Sequence, residues 1–261
     1  MMDKDIYFSV ICPTYNSSSF IKRNIDSLLG QTYKKFEVIY VDDGSSDDTL
    51  VILKKYIELF NKKKIDLKIL QDTHKGPGSA RNLGIKSSKY EWISFIDSDD
   101  LWTEKKLEKV NKAIIENKDY NCVIHNEVMN SLNGKKNYLN YKKIYKVNLP
   151  IFRQLFLRNF ISTSTVTLKK KLVEDVNYFD QNLSNAQDYD LWLRIGDKLK
   201  LLCLGDYLGY YNERKNNITS QKYSIKIINL IKIIKKNKNK VNKIDYYYKL
   251  FRIFISREWF K

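Results

Sequence analysis

The sequence predicts an α/β protein: a mainly parallel sheet with helices on both faces, and a helical extension at the C-terminus. Two observations predict the sheet. Apolar runs of strand length alternate with segments of helical period through the first hundred residues, a βαβα order. Three of those runs end in polar residues, and in open α/β sheets the carboxyl ends of the strands face the ligand crevice.

The first strand is Phe8-Ser9-Val10-Ile11-Cys12, which leads into Pro13-Thr14-Tyr15-Asn16. Ser17-Ser18-Ser19 offer N-caps to a helix with Phe20, Ile21, Ile25, Leu28 and Leu29 on one face. The second strand, Phe36 to Val41, runs into Asp42-Asp43-Gly44-Ser45. Ser46-Asp47-Asp48 then begins a helix carrying Leu50, Val51, Leu53, Ile57 and Leu59. Leu67 to Leu70 reads as a third strand, and Gly76-Pro77-Gly78 turns the chain into a helix with Ala80, Leu83 and Ile85. The fourth strand, Trp92 to Ile96, ends in Asp97-Ser98-Asp99-Asp100.

Beyond residue 103 the pattern is less regular. Thr103 to Asn117 reads as a helix, Asn121 to Ile124 as a strand, and residues 131–147 as a hairpin or an exposed loop. Ala186 to Ile195 reads as a short amphipathic helix, and Leu199 to Tyr211 as one or two strands. Farther on, Ile227, Leu230, Ile231 and Ile234 share one helical face, with Asn229, Lys232 and Lys236 opposite. A Lys/Asn-rich connector leads to an aromatic, basic segment from Tyr246 to Phe260. The expected division is a domain over residues 1–220 and an extension over residues 221–261.

A chain of 261 residues can bury a sizeable core, and 43% hydrophobic with 30% charged residues is a globular composition. The formal charge of +17 favours polyanions or anionic membrane surfaces. Cys12, Cys122 and Cys203 fit no zinc spacing and lie in apolar runs, so they read as buried free thiols of a reducing cytoplasm. The N-terminal residues read as polar and the apolar stretch behind them as too short for a signal peptide. No apolar run reaches the length of about 18 that a membrane-spanning helix needs.

Three carboxylates within Asp97-Ser98-Asp99-Asp100 repel one another, and a divalent metal with oxygen ligands is the simplest cation to hold them together. Other nucleotide motifs are missing. Gly76-x-Gly78-x-x-Arg81 has arginine where the dinucleotide fingerprint needs its third glycine, and no G-x4-G-K-[ST] loop occurs. Residues 43–54 lack the glycine and glutamate of a calcium-binding loop. Turn and cap chemistry explains Ser46 and Asp47, but not two carboxylates before Gly44.

Several segments together resemble the family-2 glycosyltransferases: Pro13 to Asn16, Ser27 to Tyr33, Val41 to Thr49, Gly76 to Gly84 and Phe95 to Asp100, in that order. Ser184 to Arg194 resembles the family's catalytic-base segment, and the match spans residues 6–219. The resemblance implies a GT-A fold, which is Rossmann-like, an inverting mechanism and a nucleotide-sugar donor, most often a UDP-sugar. It implies Asp99 in contact with Mn2+ or Mg2+, Asp97 oriented to the ribose or the metal, and Asp100 as their neighbour. Pro13 and Tyr15 would wall the nucleobase, Asp43 would accept from its ring N–H, and Arg81 would approach the base or the phosphates. Asp188 is the expected general base, with Asp190 pointing away.

Two departures stand out. Gln187 replaces the glutamate that the family usually carries before the base, and Arg214 stands close to where many relatives have a histidine. Arg214 suits a diphosphate but not a metal. On the acceptor side, Trp102 and Trp192 are candidates for stacking on sugars, with Trp192 reading rather as core, and Ser162 to Thr165 either place hydroxyls near the sugar or start a strand. His74 and His125, without metal-ligand spacing, are expected to be structural. The resulting expectation is a bacterial hexosyltransferase moving glucose from UDP to GlcNAc on undecaprenyl diphosphate in O-antigen or surface polysaccharide assembly. It would be cytoplasmic and peripheral on the inner face of the membrane. The alternatives are a basic nucleic-acid-binding protein, which leaves the carboxylates unexplained, so that no nucleic-acid partner is expected, and an inactive nucleotide-sugar-binding relative.

Overall fold

Strand β1 (Phe8–Thr14) is buried along its whole length, as a strand with parallel neighbours on both sides must be. In the computed structural model, which describes residues 5–214 and 223–259, the chain continues through α1 (Ile21–Leu29), β2 (Phe36–Asp42), α2 (Thr49–Lys55), α3 (Ile57–Lys62), β3 (Asp66–Gln71), α4 (Pro77–Ser87) and β4 (Trp92–Phe95). Then follow β5 (Leu101–Trp102), α5 (Lys106–Glu116), β6 (Cys122–Asn130), β7 (Lys136–Leu139), α6 (Tyr141–Ile144), α7 (Ile151–Leu157), β8 (Thr167–Lys169), α8 (Lys170–Glu174), α9 (Gln187–Ile195), β9 (Leu201–Asn212), α10 (Tyr223–Lys236) and α11 (Lys243–Trp259). The strands form one sheet in the order β3-β2-β1-β4-β8-β6-β9-β5, with β7 added to β6.

The first-half strands pair in parallel, with Thr14 opposite Asp42 and Asp42 opposite Gln71, so their carboxyl ends lie in one row. The second half is mixed: β8 runs antiparallel to β4 and β6, whereas β6 and β9 are parallel. Alternation along β1 divides the core. Phe8, Val10 and Cys12 pack with α1 and α5, and Ile11 packs on the opposite face with Phe95, Phe156 and Trp192. On that face α4 approaches closely: a Cβ on Gly84 would come within 2.5 Å of Ile11 Cγ2.

Several elements differ from expectation. The helix after β2 is two short ones, α2 and α3, separated at Tyr56, and Asp47 caps the first by accepting from Thr49 N at 3.0 Å. Helix α1 has no side-chain cap; Ser17 holds its start through its carbonyl, and its hydroxyl lies 3.0 Å from Ser98 Oγ. Helix α5 begins at Lys106, because the backbone of Thr103 bonds instead to Leu208 and Gln31. Strand β6 is longer than the sequence run, since β9 pairs along it past irregularities at Asn126. Residues 131–147 give a β6–β7 hairpin and then α6, and the stretch after Leu199 is a single strand. Asn229 is not on a polar face: it is buried and donates to Ser184 Oγ at 3.1 Å. From the extension, Ile233, Ile234, Tyr246 and Ile253 enter the same core cluster as Trp192. All three cysteines are buried and free. No helix among the described residues is long and apolar enough to cross a membrane. The expected boundary at residue 220 and Phe260 lie outside the described residues, as do residues 1–4.

Candidate active site

The site is built at the carboxyl ends of β1, β2 and β4. Pro13 is buried near the end of β1, past the last β1–β4 pair at Ile11, so its missing N–H breaks no bond to β4. Beyond it the loops after β1 and β2 are stapled together. Asn16 N donates to Ser45 Oγ at 2.9 Å, and Asn16 Oδ1 accepts from Ser46 N at 2.9 Å. Asp42 turns back on Ser45 and serves the loop.

Asp43 points to the start of α4. Its two carboxylate oxygens accept from Lys75 N and Gly76 N, each at 2.8 Å. A carboxylate oxygen has two lone pairs, so both oxygens can take a further donor. Tyr15, 45% exposed, has its ring 4.2 Å from that of His74 and tilted by 30°, and His74 Nδ1 lies 3.7 Å from Asp43 Oδ2. His74 Nδ1 sits 3.2 Å from the Asp43 carbonyl. The loop closes only because Gly44, at φ +77°, has no Cβ; one would lie 3.2 Å from His74 N.

The Asp97–Asp100 turn is fixed from beneath. Asn24, buried in α1, donates to the carbonyls of Asp97 and Asp100 at 3.1 and 2.9 Å. Ser164 Oγ accepts from Asp97 N at 3.0 Å and donates to Asp100 at 2.5 Å. The four residues then part in direction. Asp97 and Asp99 face the cleft, each on an arginine: Arg81 Nη2 is 2.5 Å from Asp97 Oδ1, and Arg214 Nη2 is 2.7 Å from Asp99 Oδ2. Arg214 also lies over the Phe20 ring at 3.9 Å. Asp100 turns inward, buried on Ser164 and on Asn212 N at 3.2 Å, which separates it from the cleft where a phosphate would lie. Trp102 is buried as well, with its indole N–H on the Ser164 carbonyl at 2.8 Å and the Lys106 amine nitrogen over its ring. It is core, not a sugar-stacking surface.

Burial raises the pKa of Asp99, and the charge of Asp97 adds to this; Arg214 opposes both. Asp100 is pushed well up by burial and by both neighbouring carboxylates. Such a pair of carboxylates is the donor set a hard cation wants. Mg2+ or Mn2+ takes one or two carboxylates together with substrate phosphates, and Asp97 and Asp99 are the two that would hold it. Among the described residues no three His, Cys, Asp or Glu side chains cluster so that they could hold a metal ion by themselves.

Arg81 links the acidic turn to α9. It is buried, its Nε has no partner, and its charge reaches Asp188. Asp188 is the second residue of α9, whose start is set by Ala186 at φ +57°. Burial raises its pKa, against the opposing pull of the Tyr189 N–H, Arg81 and Asn159. Asn159 Nδ2 is 3.4 Å from Asp188 Oδ2. Gln187 is packed against Gly78 and donates to the Leu183 carbonyl, so it faces the start of α4. Asp190 points away into an ion pair with Arg194 at 2.6 Å. A cavity of about 240 Å³ opens beside Asn159, lined by Tyr141, Ile144, Arg158, Phe160 and Ser162. Behind Ser162 lies buried Glu127, which accepts from Tyr141 and Ser162 at 2.5 and 3.2 Å and is itself raised by burial.

Sequence reasoning does not point to Asn24 or Asn159, sets Ser164 on the acceptor side rather than beneath the acidic turn, and reads His74 as structural. His74 lacks metal-ligand spacing, but it stands two residues before Gly76 and its ring meets that of Tyr15; the asparagines and Ser164 act through backbone or long-range contacts that leave no local pattern. His125 is structural as expected: it is buried, its Nδ1 lies 2.9 Å from the Asn126 carbonyl, and burial lowers its pKa to about 3.

Known proteins share this arrangement of elements. A family model described as Glycosyl transferase family 2 matches residues 9–176. The amylovoran biosynthesis glycosyltransferase AmsB of Erwinia amylovora is 34% identical over 216 residues, covering 80% of this chain and 70% of that protein. The UDP-Glc:alpha-D-GlcNAc-diphosphoundecaprenol beta-1,3-glucosyltransferase WfgD of Escherichia coli is 29% identical over 221 residues, covering 84% and 82%. This chain spans only 27% of a Rickettsia bellii glycosyltransferase that is 34% identical over 201 residues. Among solved structures, S. aureus TarS 1-349 in complex with UDP aligns with TM-score 0.69 at 25% identity, covering 95% of this chain and 71% of that one. The mannosyltransferase PcManGT of Pyrobaculum calidifontis, in complex with GDP-Man and Mn2+, gives the same TM-score at 18% identity, covering 94% and 69%, and shares the fold. With residues 9–176, well over half of the chain, inside the family model and the strand-end carboxylates on its sheet, this protein belongs to glycosyltransferase family 2, with a GT-A fold.

Proposed function

We propose that this enzyme transfers a hexose, with glucose the best fit, from UDP to a lipid-linked sugar in O-antigen or surface polysaccharide assembly. The acceptor we infer is GlcNAc on undecaprenyl diphosphate, met at the cytoplasmic face of the membrane. The observation that carries the reading is the gathering of carboxylates and arginines beyond the strand ends: Asp97 pairs with Arg81, whose charge also reaches Asp188, Asp99 pairs with Arg214, and Asp43 closes its loop onto the start of the helix that carries Arg81. The likeness to WfgD and AmsB supports the donor, the acceptor and the pathway class. A nucleic-acid binder would not set carboxylates in its cleft. We further propose residues 1–220 as the transferase domain and residues 221–261 as its extension.

In this reading Pro13 and Tyr15 wall the uracil, His74 adds a second ring, and Asp43 accepts the base N–H, a directional contact that selects uracil. Asp99 and Asp97 hold Mn2+ or Mg2+, which when bound neutralises the diphosphate's charge. Arg81 and Arg214 offer planar forks of donors to the same phosphates. Asp188 accepts the proton of the acceptor hydroxyl as its oxygen bonds to the anomeric carbon. The bond from that carbon to the phosphate oxygen breaks on the opposite face, so the configuration inverts and UDP leaves with the electron pair. Burial suits Asp188 to the task, because a base with a raised pKa takes a proton more readily. A screen of nucleotide sugars against synthetic lipid-diphosphate GlcNAc, with Mn2+ or Mg2+, tests the proposal. UDP-glucose turnover that the folded Asp99→Ala variant loses by orders of magnitude is expected; undiminished turnover in chelator, or no turnover with any UDP-sugar, contradicts it.

A further inference from the structure

Helix α11 is apolar on two faces. Tyr246 and Ile253 are buried in the core, yet Ile244 is 80% exposed and Phe251 61%, with Tyr247, Tyr248 and Ile255 exposed beside them. At 100° per residue these five side chains fall within one stripe about 100° wide, opposite the buried one. A contiguous apolar stripe in water is costly and marks a contact surface. Its surroundings say of what kind. Exposed Lys243 and Arg252 border the stripe on its two sides, and Lys232, Lys235, Lys238 and Lys240 are exposed on the neighbouring segments. From residue 221 onward the only acidic residues are Asp245 and Glu258, and Asp245 is buried against Arg153 at 2.6 Å. Aromatic and aliphatic side chains flanked by cations are what an anionic lipid interface accepts: rings and methyls enter the acyl boundary while long basic side chains reach the headgroups. A second copy of the chain would bring the same dense positive charge against itself.

We propose that α11 is an interfacial helix that docks the enzyme on an anionic membrane through Ile244, Tyr247, Tyr248, Phe251 and Ile255. The position suits the transfer reaction. Helix α11 packs on α7 through the Arg153–Asp245 pair and through Lys249 Nζ on the Leu157 carbonyl at 3.1 Å. The chain leaves α7 directly into Arg158 and Asn159, at the cavity beside Asp188. A docked α11 thus sets that cavity near the headgroups, where a lipid-linked acceptor presents its sugar. Only this last point rests on the proposed acceptor; the docking itself does not.

The test is flotation with phosphatidylcholine vesicles, with and without phosphatidylglycerol, on the wild type and on Ile244→Ser/Phe251→Ser/Ile255→Ser. Lysine and arginine are probed separately with Lys243→Glu/Arg252→Glu, and UDP binding by each protein reports an intact fold and donor site. Wild type is expected to partition into the anionic vesicles, more weakly at high salt, and both variants to lose more than about tenfold in partitioning with UDP binding unchanged. Absence of wild-type partitioning at low salt, or wild-type partitioning by the triple variant, overturns the proposal. So does concentration-dependent dimerisation abolished by the triple variant without any vesicle binding. Vesicle binding without lipid-dependent transfer would leave the docking standing and count against the acceptor reading.

Discussion

Asp188 concentrates the residue-scale chemistry. Its pKa is raised by burial and held down by Arg81, the Tyr189 N–H and Asn159. A base works deprotonated, so kcat/KM is expected to fall with decreasing pH through a midpoint above the ordinary aspartate value of about 3.9. Asn159→Ala removes a donor to the charged form and should move that acid limb to higher pH, whereas Asp188→Asn should remove the limb and roughly a thousandfold of kcat. A pH–rate profile on the three proteins checks this; an unmoved limb in Asn159→Ala denies the contact its role. Arg214 tests the metal. It occupies Asp99 Oδ2 at 2.7 Å, so a divalent ion held by Asp99 would compete with it for the carboxylate. In Arg214→Ala, Mn2+ measured by electron paramagnetic resonance should bind more tightly without nucleotide, and UDP should enhance that binding less than in wild type, since the freed arginine no longer passes to the diphosphate. Equal Mn2+ affinity in both proteins would show that the ion pair does not compete.

At the scale of elements, strand-end chemistry was legible because apolar runs and the polar residues that stop them are both local. Asp43, Asp97 and Asp99 could be read at the sheet edge for that reason. The resemblance sets Asp100 apart from Asp99 only as a neighbour of the metal contact; its inward turn comes from long-range contacts with Ser164 and Asn212, which leave no local pattern. Strand β6 was read short because its polar half, His125 to Asn130, is a strand only through its pairing with β9. Trp102 and Lys106 illustrate the same limit. A lysine in α5 reads as solvated, yet Lys106 is wholly buried, donating to Thr167 Oγ1 at 2.9 Å and to Ser94 Oγ at 3.2 Å. Burial alone drives its pKa well below the ordinary lysine value. In the unfolded chain the amine binds its proton at higher pH, so this group makes stability rise with pH between its depressed pKa and about 10.4, and costs most below that window. Lys106→Met leaves Ser94 and Thr167 bonded to each other at 2.7 Å. The variant should gain stability on the wild type as pH falls toward neutrality, seen as higher urea midpoints; a constant difference across pH would mean that Lys106 is never neutral when folded.

For the molecule as a whole, the change of composition after residue 220 marks an extension without saying whether it packs on the domain, and the core ties α10 and α11 to the transferase fold. Ile233, Ile234, Tyr246 and Ile253 share one core cluster with Trp192 and Leu191 of the Asp188 helix and with Phe156 of α7. Composition could not reveal this, since a helix with lysines on one side and isoleucines on the other reads the same whether its apolar face meets a partner or its own domain. Two-state cooperativity follows when one core spans both parts. Ile233→Ala removes a buried side chain and should cost about 3 kcal/mol. Because the cluster is shared, that loss is expected to lower a single unfolding transition, followed together by far-ultraviolet circular dichroism and by the loss of UDP binding. Two transitions, with the variant moving only one that leaves UDP binding intact, would mean that the extension folds apart from the site. A single displaced transition would mean that the segment carrying the exposed stripe of α11 is rigidly joined to Asn159 and Asp188, so that whatever surface receives that stripe also fixes the orientation of the catalytic cleft.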